Sequence, residues 1–516
     1  MKTRKIIALI LAIVMLAAFV AACADDPTPP ATDDPAPPPA VADDDDDPAP
    51  PADDDDDLAP PAADDGLMLR MVIVGAPSEA HDSVLEAVNA QLAADGYNFG
   101  VTIDFFDDYW SQLTLAVTGG EVIDLVWMHR NYIGENVRLG MLQPIDAALA
   151  AYGPVLLEHT PDFLLAGGSV GGQQFGMPRV APMSYNRSVL NIRGDLREAH
   201  GIPPITTIDH LEQFLEAVHE NEEGVYGAMG WLPETLYPVY VDAHFILNWL
   251  LYVQPEDGTV QSLWHSEGME SIMARIWSWA DRGWIPTDEV RERFGGTDAA
   301  FDNGFVAVVN ANPMRAAERI DQFTANVPDG RVETVVLQSA RPMNFFSGDN
   351  MLAVPTTSNN VNEAVQFVNW IKSNQDNFDL FSFGVEGVNY HLVDGAVDTS
   401  AIGSSEHYSI SRWMWDDIRL ARFSANMTDA DVNQLRTWDD GIALSPYLEF
   451  TLDESEIGIL LGAIWGVVWD NIPQWTTGQA EFDRGRTEFL AALDAAGIQE
   501  VIEEAQRQLD EFMAGR

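Results

Sequence analysis

The 516-residue chain has one cysteine, Cys23, and after Lys5 a single lysine, Lys372. One thiol cannot form an internal disulfide, so whatever folds is held together by its core alone. The ten histidines are scattered, with no H-E-x-x-H and no cysteine partners, which leaves a zinc site without support. No P-loop lysine and no G-x-G-x-x-G occurs, so nothing points to a nucleotide. Positive charge is scarce. The 27 Lys and Arg stand against 81 Asp and Glu for a net charge of −54, and nucleic acid and anionic membranes are poor partners for such a surface. Internal repeats at solenoid period are absent too. The apolar run Ile6 to Val20 falls short of the roughly 20 residues that a membrane span needs.

That run follows Lys2, Arg4 and Lys5 and ends in the small residues Val20-Ala21-Ala22, the pattern of a secretory signal. Cys23 stands directly after it, and the arrangement resembles the lipobox of bacterial lipoproteins, in which the cysteine is acylated and becomes the new N-terminus. The resemblance implies a lipid anchor on the outer face of the cell membrane. Two acyl chains, at about 0.8 kcal/mol per buried methylene, suffice to hold such an anchor. Residues 24–66 contain 16 Asp, 12 Pro and no Lys or Arg. They cannot bury enough surface to offset the entropy of ordering, and they predict an extended, self-repelling tether. The Asp runs at 43–47 and 53–57 lack the EF-hand spacing with its fixed glycine.

Residues 67–516 leave room for two or three domains of ordinary size. Leu67 to Val74 is rich in β-formers and predicts a strand. Glu79 to Ala94 carries Val84, Leu85, Val88 and Leu92 on one helical stripe, and Val101 to Phe106 is the next strand. Leu113, Ala116 and Val117 lie at helical spacing until Gly119-Gly120 stops them, and Val122 to Trp127 reads as a buried strand. Strand, helix, strand, helix, strand is the start of a parallel α/β sheet. Beyond Trp127 come His129, Arg130 and Asn131, at the carboxyl end of a strand, the edge on which open α/β sheets bind ligands. Further helices are expected at Pro154 to Leu165, after Thr206-Thr207-Ile208-Asp209, at Val239 to Tyr252, at Met269 to Trp279 and at Asn362 to Ile371. Phe305 to Asn310 and Val332 to Leu337 read as strands. The last third is expected to be mostly helical, interrupted at Gly497. Gly167-Gly168-Ser169-Val170-Gly171 matches the nucleophile elbow G-x-S-x-G in letters, but a turn follows it where the elbow needs a helix. With 81 acidic residues, some pair is bound to lie at glycosidase separation, and such proximity is uninformative.

The helix, the turn Gly120-Glu121, the strand Asp124-Leu125-Val126-Trp127, a second helix and Gly140-x-Leu142-x-Pro144-Ile145-Asp146 together resemble the extracellular solute-binding proteins that feed bacterial ABC importers. Within them the likeness is to the carbohydrate-type lipoprotein branch with a C-terminal helical region. Phe175-Gly176-Met177-Pro178, the segment Phe383 to Tyr390, Ala495-Ala496-Gly497-Ile498 and Glu503 to Asp510 extend the likeness to nearly all of the chain after Gly66.

The resemblance implies a two-lobed α/β fold of the periplasmic-binding-protein type II, with about three hinge crossings and a helix-rich second lobe. On it, residues 67–181 plus 302–355 are expected to form the first lobe and residues 182–301 plus 356–516 the second. It also implies a monomeric binding protein without enzymatic activity, cofactor or metal, whose partners are a small polar solute, most simply a carbohydrate, and the permease subunits. Glu121, Asp124 and Glu386 fall in the family's motifs, where capping and hinge contacts account for them. Sugar binding asks for flat aromatic faces against the C–H side of the ring and planar polar groups against its hydroxyls. Residues at strand ends and crossings are the candidates: Trp110, Trp127, His129, Tyr185, Asn186, Trp231, Asn312, Phe345 and Asn350. Aromatic residues also serve as core, as the helical Trp277 and Trp279 illustrate. A peptide or other organic solute is the alternative ligand. A secreted lipoprotein glycosidase and a surface adhesion module are the rivals from other classes.

Overall fold

The computed structural model describes residues 66–183, 189–241, 244–247, 250–337, 343–344, 349–476 and 481–515. Cys23, the acidic segment up to residue 65 and the candidates Tyr185, Asn186 and Phe345 lie outside those residues. A five-stranded sheet runs in the order Phe99–Phe106, Leu67–Val74, Leu125–His129, Asn350–Ala353, Gly176–Pro178. The first three strands are parallel, and Asn350–Ala353 runs antiparallel to both its neighbours, so that Gly176–Pro178 shares the direction of the first three. Both faces are covered, so successive residues of a strand are buried in different clusters. Leu69, Met71 and Ile73 pack under the helix His81–Ala94, while Val72, Val126 and Met128 pack with Leu113 and Val117 of the helix Tyr109–Thr118. Gly120 adopts φ +79, a conformation that a side chain would resist, and there the helix ends before the strand begins at Leu125. The expected elements from Leu67 to Gly140 are all present.

A second sheet has the order Val332–Val335, Val189–Arg193, Val306–Ala311, Tyr226–Met229. It packs on the helix Ile208–Asn221, whose N-cap Thr207 accepts a hydrogen bond from the backbone N–H of His210. Leu211, Phe214, Leu215 and Val218 of that helix join the core formed by the helix Glu267–Asp281 and the three C-terminal helices Gly458–Thr476, Phe482–Ala495 and Ile498–Ala514.

Three sequence expectations require correction. The strands Val306–Ala311 and Val332–Val335, expected in the first lobe with residues 302–355, pair antiparallel with Val189–Arg193 on its two edges. All five residues of Val189–Arg193 are buried, so that strand must be flanked on both sides. Conversely, the helices Val361–Ile371 and Gln375–Phe383, expected in the second lobe, place Phe367, Trp370, Phe378 and Phe381 in the same core as Leu69 and Met71. The second correction concerns residues 239–252. A helix, Leu232–Tyr240, stops at Val241, and His244–Leu247 with Leu251–Val253 forms an antiparallel pair extended by Val260–Ser262. A short apolar run does not distinguish buried helix from strand by period, and Phe245, Ile246, Tyr252 and Val253 are the residue types that favour strand. The stretch 384–457, expected to be mostly helical, consists mainly of turns and short elements, and long helices resume only at Gly458.

The chain passes between the sheets three times: after Pro178, before Asn350, and between Trp415 of the first core and Phe450 of the second. The three passages meet. Arg179 donates its backbone N–H to the Asn350 carbonyl, Val180 pairs with Asp417, and the backbone N–H of Ile418 reaches the Val180 carbonyl at 2.7 Å. Arg179 forms a buried two-pronged ion pair with Asp349 at 2.7 and 2.5 Å. Burial alone would pull the Arg179 guanidinium down, but Asp349 outweighs it, and each partner is held in its charged form. Lys372 donates to the Pro178 carbonyl at 3.0 Å, and burial, against the pull of Asp417 and Asp416, lowers its pKa to about 8. Asp124 accepts from Arg70 N–H, Ser358 and Asn360, and Glu121 pairs with Arg70, so these two motif carboxylates serve the scaffold. Ser169 lies in the tight hairpin Ser169–Val170 with Gln173–Gln174, with no helix after it.

Candidate ligand-binding site

The carboxyl end of Leu125–His129 is the starting point, because four of the sequence candidates converge there. His129 stands opposite Asn350 in the antiparallel register, and Asn350 accepts a hydrogen bond from the Trp127 indole N–H at 2.9 Å. Trp127 packs against Trp110 at 5.0 Å between ring centroids, and edge-on against Trp413 at the same distance. The Tyr109 hydroxyl donates to the Trp127 carbonyl at 2.7 Å. His129 is also the N-cap of the helix Arg130–Arg138, with Nδ1 accepting from the Asn131 backbone. This helix carries Tyr132, whose ring lies 4.5 Å from Trp110 and 6.1 Å from His129. Tyr132 is 43% exposed, so the cluster presents one open aromatic face to solvent.

That face lines a cavity of about 530 Å³. From the first lobe come Arg130, Asn131, Tyr132, Glu135 and Arg138, and from the second Phe245 to Leu247 of the strand His244–Leu247, Phe450 to Leu452, Glu454, Tyr447, and Trp465 and Trp469 of the helix Gly458–Thr476. Trp465 and Trp469 are one helical turn apart and nearly parallel, 6.0 Å between centroids at 22°. Trp469 is 55% exposed and continues to Trp231 at 5.6 Å. Arg130 donates to the Leu448 carbonyl at 2.9 Å, and its own backbone N–H bonds to the Asp349 carbonyl. Burial lowers its pKa to about 10, which leaves it charged at neutral pH. Arg138 pairs with Asp453 at 3.8 Å. Glu454 is half-buried at the cavity wall. Burial pushes its carboxyl above the ordinary range, against the pull of Arg138 and with the push of Glu135 and Asp453.

The sequence candidates thus stand one layer behind the cavity. Trp110 and His129 touch Tyr132, Trp127 and Asn350 brace Trp110, and Trp231 touches Trp469. Asn312 lines neither this cavity nor the larger one below, because its side-chain oxygen accepts from the Met314 N–H ahead of the helix Arg315–Asn326. Asn310 instead reaches the site region by accepting the Trp231 N–H at 2.8 Å. Sequence reasoning missed Tyr132, Tyr447, Trp465 and Trp469. The i, i+4 pair of tryptophans within the apolar first two thirds of the helix Gly458–Thr476 was the available signal. A larger cavity, about 950 Å³, shares Gly134, Arg138 and Phe450 with the first and extends to the hairpin at Ser169–Gly172 and the last helix. Its two aromatic residues, Phe450 and Phe512, are packed edge-on against each other, and it has no counterpart of the exposed Tyr132 and Trp469 rings. The smaller, aromatic cavity is therefore the candidate site.

Residues 87–384 match the family described as bacterial extracellular solute-binding protein, and residues 446–514 match a domain of unknown function. A carbohydrate ABC transporter substrate-binding protein of Streptococcus pneumoniae serotype 4 is 20% identical over 454 residues, 85% of this chain and 88% of that one. The crystal structure of an N-glycan transport solute-binding protein from Streptococcus pneumoniae superposes with a TM-score of 0.71 at 18% identity, covering 87% of this chain and 99% of that one. An HMO-binding, ABC-transporter-associated solute-binding protein from Bifidobacterium longum infantis gives a TM-score of 0.60 at 15% identity, over 87% and 99% of the two chains. The fold is that of the type II periplasmic solute-binding proteins.

Proposed function

The chain belongs to the bacterial extracellular solute-binding proteins, and from that membership we propose that it captures a saccharide of several rings in the aromatic cleft between its lobes and delivers it to an ABC importer. One observation carries the reading: open aromatic faces from both lobes, Tyr132 on one side and Trp465 with Trp469 on the other, border a single cavity of about 530 Å³. Indole and phenol rings match the C–H faces of pyranoses, and a cavity of that size suits a ligand of a few rings. Contacts made by both lobes favour the closed form of a hinged pair. The relatives named above, described as carbohydrate- and glycan-binding, support the same class of solute. The work is capture and handover, with no bond broken. Cys23 after Val20-Ala21-Ala22 supports a lipid anchor outside the membrane, with residues 24–66 as spacer.

A thermal-shift screen of the purified monomer against neutral and charged oligosaccharides, with dipeptides and oligopeptides as controls, tests the reading. A ligand at a hundredfold excess over Kd adds about 2.7 kcal/mol to stability. A shift with saccharides that are recovered intact is the expected result. Hydrolysis of the bound sugar, or a shift with peptides alone, overturns the reading. Incorporation of radiolabelled palmitate by the wild type but not by C23S tests the anchor.

A further inference from the structure

The charges around the aromatic cleft are unequally engaged. Each arginine on its wall is already committed: Arg130 to the carbonyls of Leu448 and Phe450, Arg138 to Asp453. The carboxylates are not. Among the described residues Glu454 makes no side-chain hydrogen bond and no ion pair, although it is half-buried, and Glu135, exposed on the same wall, makes none either. The adjoining larger cavity continues the imbalance, because its remaining arginine, Arg507, is held by Glu504 and Glu511 at 2.5 and 2.7 Å. A half-buried carboxylate without a donor is an acceptor in waiting.

We propose that Glu454 is a ligand-contacting residue that accepts hydrogen bonds from sugar hydroxyls, and that with Glu135 it makes the cleft select neutral oligosaccharides and reject those bearing carboxylates. The inference rests on the saccharide reading above and adds the charge class of the solute. A carboxylate offers two acceptor oxygens in one plane, which fits a pair of vicinal hydroxyls, and such charge-assisted bonds are about twice as strong as neutral ones. A uronate brought to the same wall meets the like charges of Glu454 and Glu135, and to recruit Arg138 it must displace Asp453.

The test is calorimetric titration of the full chain and of E454Q with neutral trisaccharides built from mannose, glucose and N-acetylglucosamine, and with the trimers of galacturonate and mannuronate. The unfolding midpoint of E454Q is measured alongside. The wild type is expected to bind a neutral trimer and to bind uronate trimers at least about tenfold more weakly. E454Q, with an unchanged midpoint, is expected to lose about tenfold or more in affinity for the neutral trimer and to narrow the gap to the uronates. As the pH falls through the carboxylate range the affinity for the neutral trimer falls more steeply in the wild type than in E454Q, because Glu454 gains its proton only in the wild type. Arg138, Glu135 and Asp453, the charged groups that face Glu454, are common to both proteins. Uronate binding equal to neutral binding overturns the selection. An E454Q affinity within twofold of wild type overturns the contact. Absence of binding to every saccharide overturns the saccharide reading itself, and the inference falls with it.

Discussion

Replacing Trp469 by alanine separates a ligand platform from a core tryptophan. A tryptophan side chain buries up to about 250 Å² when enclosed, and Trp469 is 55% exposed, so roughly 140 Å² of it is available to a ligand. A pyranose lying on one face covers about half of that, roughly 70 Å², and at about 25 cal/mol per Å² the contact contributes about 1.8 kcal/mol. The W469A variant is therefore expected to raise Kd about twentyfold. Folding loses the buried remainder of the ring, roughly 110 Å² or about 3 kcal/mol, which includes its contacts with Trp231 and Trp465. Trp279 supplies the contrast, because it is 1% exposed and its indole N–H donates to Glu212 at 2.8 Å. W279A is expected to cost about 3–5 kcal/mol of stability while the folded fraction keeps its affinity. Calorimetric titration with the saccharide found in the screen, paired with denaturant unfolding, reads both quantities. A W469A affinity within twofold of wild type, with folding intact, would refute the assignment of the cleft.

The scaffold yields three further expectations. R179M leaves Asp349 buried and unpaired and should destabilise the chain by about 3–5 kcal/mol in urea, and a loss under 1 kcal/mol would contradict the burial of that pair. Lys372 releases its proton near pH 8 when folded and at 10.5 when unfolded, so between those values only the unfolded chain holds it. Stability relative to K372M should accordingly rise with pH across that window, by up to about 3 kcal/mol, and a flat difference would sink the argument. D124A strands three donors, the Arg70 N–H, Ser358 and Asn360, and should cost about 2–4 kcal/mol in unfolding while leaving solute affinity unchanged, which a titration of the folded variant checks.

Legibility in the sequence followed the range of the interactions. Residues 67 to 140 could be read because each element is bounded by its own signals: the stripe Val84, Val88, Leu92, the stop at Gly119-Gly120, the apolar run into Trp127. The partners of Val306–Ala311 could not be read, because antiparallel pairing with Val189–Arg193 is decided by a register more than a hundred residues away and leaves no local trace. The helix Val361–Ile371 shows its apolar stripe but not which sheet the stripe covers. Strand ends and crossings singled out Trp110, Trp127, His129 and Asn350, none of which lines the cavity. The faces that do line it belong to Tyr132, Trp465 and Trp469, which lie on helices and carry no strand-end signal.

The placement of charge then accounts for how the two lobes can move without coming apart. At the point where the three passages meet, the buried ion pair of Arg179 with Asp349 binds the first passage to the second, and Lys372, at the end of the helix Val361–Ile371, donates to the Pro178 carbonyl. An ion pair so buried does not exchange partners with solvent, and breaking it is costly. At the cleft, by contrast, the links between the lobes among the described residues include the bonds from Arg130 to Leu448 and Phe450 and the partly exposed pair Arg138 with Asp453. A surface pair like the latter contributes about 0–1 kcal/mol and can open and re-form. On the proposed reading, a solute that bridges Tyr132 to Trp469 therefore works against a weaker set of links at the rim than at the pivot, and a few kcal/mol of contact suffices to bias the closed arrangement.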